Sequence, residues 1–347
     1  MNPQDLLLRA ATPADLDALE RLAAASAIGI TTLPADRAAL GNRLERSAHA
    51  FASQDDSSGE EIYLFVLEDT RSGHVVGTSG IAASAGFADR FYSYRNEMVV
   101  HASQALAASN RIHTLHLCHD LTGYTLLTSF HIEPAYAHTL APQLLSRARL
   151  LFIAEFASRF SDRIAAESPG LADEHGRCPF WDAVGRRFFD MDYPAAEQLT
   201  GGRNKAFIAE LLPQSPIYVP LLPEQAQWAI GQLHPVAELP FSILLDEGFD
   251  TETYVDIFDG GPTVDGRVAM LKTVVQSRPG QARIGTATGG WHLVATARRA
   301  GFRAVLAQAT LADDAVMLSE ASAALLNAQQ GDRLRAAPLA SGAGAAA

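Results

Sequence analysis

Apolar runs and helical repeats alternate over the first third of the chain. Leu6–Ala10 is an apolar run that predicts a first strand, and Thr12 then offers a cap for a helix that reaches about Ala25. Two further apolar runs, Ile62–Glu68 and His74–Thr78, flank a polar connection that ends in glycine, which is typical of an antiparallel hairpin. The predicted order is therefore strand, helix, hairpin.

The middle of the chain predicts two more strands and a long helix. Ile112–Cys118 and Leu126–Ile132 are rich in residues that favour strands. A helical spacing then places five apolar residues on one face, namely Leu144, Leu145, Ala148, Phe152 and Phe156. These elements predict a mixed central sheet flanked by helices, so the expected fold class is α/β (α+β).

The pattern changes near the C-terminal end. After about Gln276 the chain has short apolar runs at Trp291–Thr296 and Arg303–Ala307, and its last residues are mostly alanine and glycine. No clear linker precedes them. The expected division is a main region over 1–277, a small β-rich domain over 278–336 and a low-complexity tail over 337–347.

Composition excludes several classes of protein. The 347 residues are 48% hydrophobic and carry a net charge of −12. Such an acidic chain is a poor partner for nucleic acid, because lysine and arginine supply most of the affinity for phosphate backbones. The first residues lack a basic and then apolar leader, and no apolar run approaches the ~18 residues of a membrane helix, so we expect a cytoplasmic protein. Cys118 and Cys178 are expected to be reduced, partly buried thiols.

Short motifs give the chain a resemblance to a known family. The order of strand, capped helix, hairpin, central strand and long helix resembles the GNAT-type acyltransferases. More specific motifs, between about Leu6 and Ser277, resemble the arginine N-succinyltransferase family: Thr31-Thr32-Leu33-Pro34, Phe65-Val66-Leu67-Glu68-Asp69, Val100-His101-Ala102-Ser103, Asp173-Glu174-His175-Gly176, Pro179-Phe180-Trp181, Phe207-Ile208-Ala209-Glu210-Leu211 and Ile257-Phe258-Asp259-Gly260-Gly261-Pro262.

Three further motifs resemble one branch of that family, the alpha subunit of the two-subunit bacterial arginine/ornithine enzymes. They are Arg95-Asn96-Glu97, Cys118-His119-Asp120-Leu121-Thr122-Gly123 and Leu127-Thr128-Ser129-Phe130. This resemblance implies a homologous beta subunit as a partner.

The resemblance also implies a reaction, the transfer of a succinyl group from succinyl-CoA to the α-amine of arginine, with ornithine left open as another acceptor. Succinyl-CoA is then a co-substrate, and no metal or redox cofactor is required. The amine must lose a proton and the leaving thiolate must gain one, and one acid/base group can serve both demands. The resemblance places the proton donor at His234, whose residue type suits proton exchange near neutral pH. The alternative is that His234 only ends a helix before Pro235.

The GNAT resemblance suggests how CoA would bind. In that fold the central strand leaves backbone groups open to the pantetheine arm, and a glycine-rich turn places the pyrophosphate at the next helix N-terminus. Phe130 and Ile132 are thus candidates for backbone contacts with CoA, unless they only pack the sheet. Ala137–Pro142 replaces the expected Arg/Gln-x-x-Gly-x-Gly/Ala turn and lacks its glycines and one N–H donor. This departure motivates an alternative, a non-catalytic scaffolding or regulatory subunit beside a catalytic beta subunit.

Charged residues supply candidates for binding the remaining substrate groups. A guanidinium matches the two oxygens of a carboxylate, so Arg95 could bind the succinyl carboxylate, unless it forms an ordinary surface ion pair. Acidic residues could hold the substrate guanidinium or could instead cap a turn or strand end; the candidates are Glu97, Asp120, Asp256 and Asp259. A module that binds arginine without any transfer is a third hypothesis.

Other patterns in the sequence do not support a metal site, a phosphate-binding loop, a serine hydrolase or a dinucleotide-binding enzyme. His113, His116 and His119 invite a metal site, but on a strand His116 faces away from the others, and at ~3.3 Å per residue the outer two lie about 20 Å apart. The glycine-rich segments Asp259–Pro262 and Thr200–Arg203 lack the phosphate-loop pattern and predict tight turns. No serine-hydrolase elbow, Rossmann fingerprint or His-Glu-x-x-His motif occurs.

Overall fold

A computed structural model describes residues 2–26, 33–54, 58–87, 89–200 and 209–339. Some sequence features fall outside these ranges, namely the first half of the Thr31–Pro34 motif, the glycines at 201 and 202, the start of the Phe207–Leu211 motif and the tail from 340. Within the described ranges no helix is long and apolar enough to span a membrane.

Sixteen strands of the described chain form one mixed sheet. Its spatial order is β14-β15-β11-β16-β12-β13-β1-β2-β3-β6-β7-β10-β9-β4-β5-β8. The strands are β1 (Leu6–Ala10), β2 (Ile62–Asp69), β3 (His74–Ala82), β4 (Ser93–Ser103), β5 (Ala108–Cys118), β6 (Thr125–Ile132), β7 (Arg163–Glu167), β8 (Ile217–Tyr218), β9 (Asp250–Val255), β10 (Pro262–Arg267), β11 (Arg278–Ile284), β12 (Trp291–Thr296), β13 (Arg303–Gln308), β14 (Thr310–Ala312), β15 (Ala315–Leu318) and β16 (Arg333–Pro338).

Helices cover both faces of the sheet. In the described ranges they are α1 (Leu16–Ala24), α2 (Arg37–Ala52), α3 (Ala141–Glu155), α4 (Pro179–Ala183), α5 (Arg186–Phe189), α6 (Tyr193–Thr200), α7 (Glu224–Ala229), α8 (Glu238–Glu247), α9 (Lys272–Gln276) and α10 (Glu320–Leu326). Short 3-10 turns occur at Pro3–Asp5, Pro13–Asp15, Pro134–Tyr136, Ala157–Arg159, Val219–Leu221, Pro235–Ala237 and Val268–Met270.

The predicted strand, helix and hairpin are confirmed in that order, and a second helix, α2, which was not predicted, lies between α1 and the hairpin. Thr12 and Asp15 form a capping box in front of α1, and the β2–β3 hairpin turns at Gly73, whose φ is +70°. Alternate residues of β2 serve opposite faces, as a strand requires. Phe65 packs in the core under α3, whereas Leu64 packs in the core under α1 and α2. The mixed α/β fold with a GNAT-like order of elements follows.

The outer half of the sheet was only partly predicted. The strand expected at Ile112–Cys118 begins earlier, at Ala108. It pairs along its whole length with β4, a strand that was not predicted. Beyond it, β7 and β10 connect this half to the centre. A second core, around Trp181 and Phe258, fills the space under α4.

The C-terminal segment is rich in strands, as expected. β11–β16 surround a core of their own, which also includes Leu7 of β1. β13 pairs with β1, so these strands continue the main sheet edge to edge. The division at residue 277 stays a prediction, and β16 extends to Pro338, into the range expected for the tail.

Both cysteines are free thiols, as expected. Cys118 is half-buried and Cys178 is buried. Burial raises the pKa of Cys118 to about 11, so this thiol is protonated at neutral pH.

Candidate active site

A split between two parallel strands opens at the centre of the sheet. β6 and β7 pair only at Thr125 with Ile164 and at Leu126 with Ala165. Beyond these pairs β6 continues to pair with β3 on its other side, and β7 continues to pair with β10. Backbone groups on the facing edges therefore have no strand partner across the split, which makes them available to an extended ligand.

A bulge interrupts β6 where the split widens. The register with β3 shifts between Thr78 and Gly80, and Ser129 has a φ of +54°, a left-handed conformation that is unusual for a serine. The extra residue resets the alternation of the strand, so Leu127 and Phe130 pack in the same core under α3.

The two predicted CoA-binding residues lie on this strand beyond the bulge. Phe130 and Ile132 are half-buried, and their side chains pack against the core under α3. The guanidinium of Arg149 lies 5.8 Å from the centre of the Phe130 ring. Side-chain packing leaves the backbone groups free for another role, and their contact with CoA stays a prediction.

The segment after β6 begins α3 without a glycine-rich turn. Thr139 Oγ1 accepts a hydrogen bond of 3.1 Å from the N–H of Ala141, and Pro142 has no N–H to offer. The first turn of α3 therefore presents fewer free donors than a glycine-rich turn would.

His234 is held at the far end of β7. Its backbone N–H donates to the carbonyl of Pro169, 2.9 Å away, and Pro169 follows β7 by two residues. Its Nδ1 accepts a long hydrogen bond of 3.3 Å from the N–H of Val236, so the imidazole caps the short turn that leads into α8. Among the described residues Nε2 has no hydrogen-bond partner. Burial lowers the pKa of His234 below its usual value, which favours the neutral ring.

A buried carboxylate fixes the loops around His234. Asp259 accepts hydrogen bonds from the N–H of Gly170 at 2.7 Å, from the N–H of Gly261 at 2.8 Å and from the hydroxyl of Tyr193 at 3.2 Å. The carbonyl of Gly260 accepts from the N–H of Gly231, 2.8 Å away, at the start of the His234 segment. Three segments are therefore held together in one loop cluster, namely Pro169–Gly170, Asp259–Gly261 and Gly231–His234. Asp259 and His234 both belong to it.

The neighbouring carboxylate also bonds to the backbone. Asp256 is buried, and its Oδ1 accepts from the N–H of Phe258 at 2.7 Å. The predicted contact of Asp256 and Asp259 with a substrate guanidinium stays a prediction, since both have a backbone role that capping alone would explain.

Gly261 is the position at which this loop cluster tolerates least change. A Cβ at Gly261 would lie 2.3 Å from the carbonyl oxygen of Ser168 and 2.5 Å from the nitrogen of Gly170. Because both neighbours are backbone atoms, Gly261→Ala should force the loops apart, destabilise the protein by ~1–3 kcal/mol and lower turnover. Urea unfolding would measure the first effect. Gly285→Ala is the control, because a Cβ there has nothing within 4 Å. Equal unfolding free energies for the two variants would contradict the close loop packing.

Arg95 and Asp120 form a second cluster on β4 and β5. Arg95 pairs with Asp120 at 2.7 Å and with Glu97, and the hydroxyl of Tyr254 donates to Asp120 at 3.4 Å. The hydrogen bonds with Asp120 and then Glu97 raise the pKa of Arg95 above its usual range. The guanidinium thus already has two carboxylate partners, so binding a substrate carboxylate would require Arg95 to leave at least one of them.

The three histidines on and just after β5 contact other side chains of the protein. His113 bonds to Asn96, and His116 Nε2 lies 3.1 Å from Thr114 Oγ1. His119 follows the end of β5 and packs edge-on against Tyr92. In the described ranges no group of three or more histidine, cysteine or acidic residues has the arrangement of a metal site.

Sequence reasoning did not identify three residues that shape this site. Pro169 anchors His234 through its carbonyl, Ser129 forms the bulge, and Arg43 of α2 donates to Ser129 Oγ at 3.1 Å. The contact of Arg43 joins residues 86 positions apart, and no local pattern reports it.

Comparison with known proteins identifies the family. A family model described as arginine N-succinyltransferase beta subunit matches residues 6–273, and one described as the C-terminal domain of that subunit matches 277–338. The chain is 49% identical to the arginine N-succinyltransferase subunit alpha of Pseudomonas aeruginosa, over 87% of this chain and 90% of that one. It is 40% identical to the subunit beta of the same organism, over 96% and 98%.

A solved structure agrees with these matches along the whole fold. The arginine/ornithine succinyltransferase subunit AI from Pseudomonas aeruginosa superposes with a TM-score of 0.89 and 45% identity, over 97% of this chain and 99% of that one. The chain therefore belongs to the arginine N-succinyltransferase family.

Proposed function

We propose that this chain is an alpha-type subunit that transfers a succinyl group from succinyl-CoA to the α-amine of arginine. The observation that carries the proposal is the similarity over nearly the full length to the subunit alpha relative, whose identity exceeds that of the subunit beta relative. The position of His234 beside the split between β6 and β7 supports it, because a proton-transfer group there adjoins an extended binding cleft.

The proposed chemistry is direct transfer. The free amine attacks the thioester carbon, the new C–N bond forms, and the C–S bond breaks. The amine proton is accepted at Nε2 by the neutral tautomer of His234 that carries its own proton on Nδ1, which requires the ring to give up the bond from the N–H of Val236, and the resulting imidazolium gives the Nε2 proton to the CoA sulphur. The products are N-succinylarginine and CoA thiol. The 3.3 Å contact with Val236 is long, so little is lost when the ring takes up a proton.

The binding roles are assigned as follows. The pantetheine arm lies along the open edge of β6 and contacts the backbones of Phe130 and Ile132. Asp120, Asp256 and Asp259 are the candidates for binding the substrate guanidinium, and ornithine stays open as a second acceptor. A homologous beta subunit is the proposed partner, in keeping with the separate alpha and beta relatives, and a cytoplasmic location is proposed with it.

Release of CoA thiol tests the function directly. The purified chain, mixed with succinyl-CoA and arginine, is expected to release thiol only when arginine is present. The matched measurement adds the homologous beta subunit. Release only in the mixture would favour the alternative of a scaffolding or regulatory subunit. Arginine binding without release in either sample would contradict the transferase assignment.

A further inference from the structure

The side of β6 that faces away from the α3 core carries polar groups. The bulge turns two consecutive hydroxyls to this side, and Ser129 Oγ lies 3.5 Å from Thr128 Oγ1. Leu64, which packs under α1 and α2, lines the same side beside Gly80 and Thr128. Arg43 of α2 lies on this side, and its Nη2 donates to Ser129 Oγ at 3.1 Å.

Arg43 carries more hydrogen-bonding capacity than its neighbours use. A guanidinium offers five N–H donors. Among the described residues its one hydrogen bond is to Ser129, no carboxylate lies within ion-pair distance, and its buried Nε has no partner. Burial, with a smaller contribution from Arg46, lowers the pKa of Arg43 to about 10, so the side chain is still a cation at neutral pH.

The buried arginines in the described ranges have more protein partners than Arg43, and Arg159, for example, meets Tyr63 and Glu61. Arg147 is paired with Glu247 and Asp246. Arg149 donates to the carbonyl and the hydroxyl of Ser146 and faces the ring of Phe130. A buried cation without an anion is unfavourable unless a ligand completes it. Arg149 also lacks an anion, but it lies on the α3 side of β6 against Phe130, whereas the half-buried Arg43 lies on the other side beside the Ser129 hydroxyl. Of the two, Arg43 is therefore the cation placed to meet an anionic ligand.

The direction of β6 decides which part of a bound acyl-CoA meets Arg43. The strand runs from Leu126, where the split begins, to Ile132, and then on to α3. If the pantetheine arm lies along Phe130 and Ile132 with its phosphates toward α3, the thioester and the acyl group lie toward Ser129. The far end of a succinyl group carries a carboxylate, which a guanidinium fork recognises well.

We propose that Arg43 binds the free carboxylate of the succinyl group and selects succinyl-CoA over a neutral acyl-CoA of the same length. The proposal rests on the proposed function, since it takes the orientation of acyl-CoA from it. It assigns to Arg43 the role that the sequence suggested for Arg95, whose guanidinium already has Asp120 and Glu97 as partners.

Calorimetric titration of the full chain with succinyl-CoA and with butyryl-CoA tests the proposal, because butyryl-CoA has a methyl group in place of the carboxylate. Arg43→Gln should weaken succinyl-CoA binding by about 100-fold, because it removes the cation from a buried charge pair. Butyryl-CoA binding should change less than about threefold, since it lacks that charge. Arg46→Gln is the matched control, because Arg46 lies one turn away on α2, is exposed and carries the same charge.

The outcomes separate the two proposals. The role of Arg43 would be overturned if Arg43→Gln weakened the binding of succinyl-CoA and butyryl-CoA equally, or weakened neither. It would also be overturned if Arg95→Gln, and not Arg43→Gln, selectively weakened the binding of succinyl-CoA. Failure of the folded wild-type chain to bind succinyl-CoA, alone and with the beta subunit, would also overturn it. Selective binding that depends on Arg43 but gives no arginine-dependent thiol release would leave Arg43 in place and overturn the proposed function. Thermal unfolding of Arg43→Gln checks that the variant is folded.

Discussion

Replacing His234 by asparagine is expected to lower kcat by roughly 10²–10⁴-fold, because the reaction then lacks its proton-transfer group. Asparagine is a good helix-capping residue, so it can still accept from the N–H of Val236, and the bond from the backbone N–H to Pro169 is untouched. The melting temperature should therefore change little. Thiol release at saturating succinyl-CoA and arginine measures the effect.

The pH dependence gives an independent readout of the same role. Burial lowers the pKa of His234 below 6.5, so the neutral, proton-accepting ring is present at pH 7 and is lost only as the pH falls through that lowered value. The wild-type chain should show this acidic limb in kcat/KM, and His234→Asn should lose it. His292→Asn, on β12, is the control. Unchanged turnover in His234→Asn would exclude the catalytic assignment.

The second large effect concerns the ion pair that joins α3 to α8. The side chains of Arg147 and Glu247 are 5% and 0% exposed, and they pair directly. Glu247 also accepts from the N–H of Thr273 at 2.7 Å and from its hydroxyl at 2.6 Å. Glu247→Ala leaves Nη1 of Arg147 and the buried N–H of Thr273 without their carboxylate acceptor, although Arg147 keeps its pair with Asp246, and should destabilise the protein by about 3 kcal/mol. Urea unfolding measures the loss.

The adjacent acid provides a matched control. Asp246 pairs with the same Arg147, but its side chain is 51% exposed and is shared with Lys272 at 3.0 Å. Asp246→Ala should therefore cost about 1 kcal/mol or less. If Glu247→Ala and Asp246→Ala lowered the free energy of unfolding by similar amounts, burial would not determine how strongly each carboxylate stabilises the protein through Arg147. Because α8 follows the His234 turn and α3 follows β6, the pair also fixes the two sides of the proposed site relative to each other.

Local patterns predicted the parts of the fold whose residues are close in sequence. The alternation of β2 and β3, the cap before α1 and the apolar face of α3 depend on neighbours within a few positions, and these elements form where they were expected. The pairing of β4 with β5 and of β1 with β13 was not predicted, because a strand does not reveal its partner through its own periodicity. The bulge at Ser129 has the same cause, since serine carries no local signal for a left-handed conformation.

The sequence by itself determined the family, through short motifs, and the local elements, through hydrophobic periodicity. It also supplied the candidate residues and their chemistry, but not their partners. The tertiary structure decided that Arg95 meets two carboxylates, whereas Arg43 meets only a serine among the described residues. It also decided that the carbonyl of Pro169 holds His234 at the end of β7. The reason is physical: an ion pair or a hydrogen bond depends on distances of about 3 Å, and folding sets those distances between residues far apart in the chain.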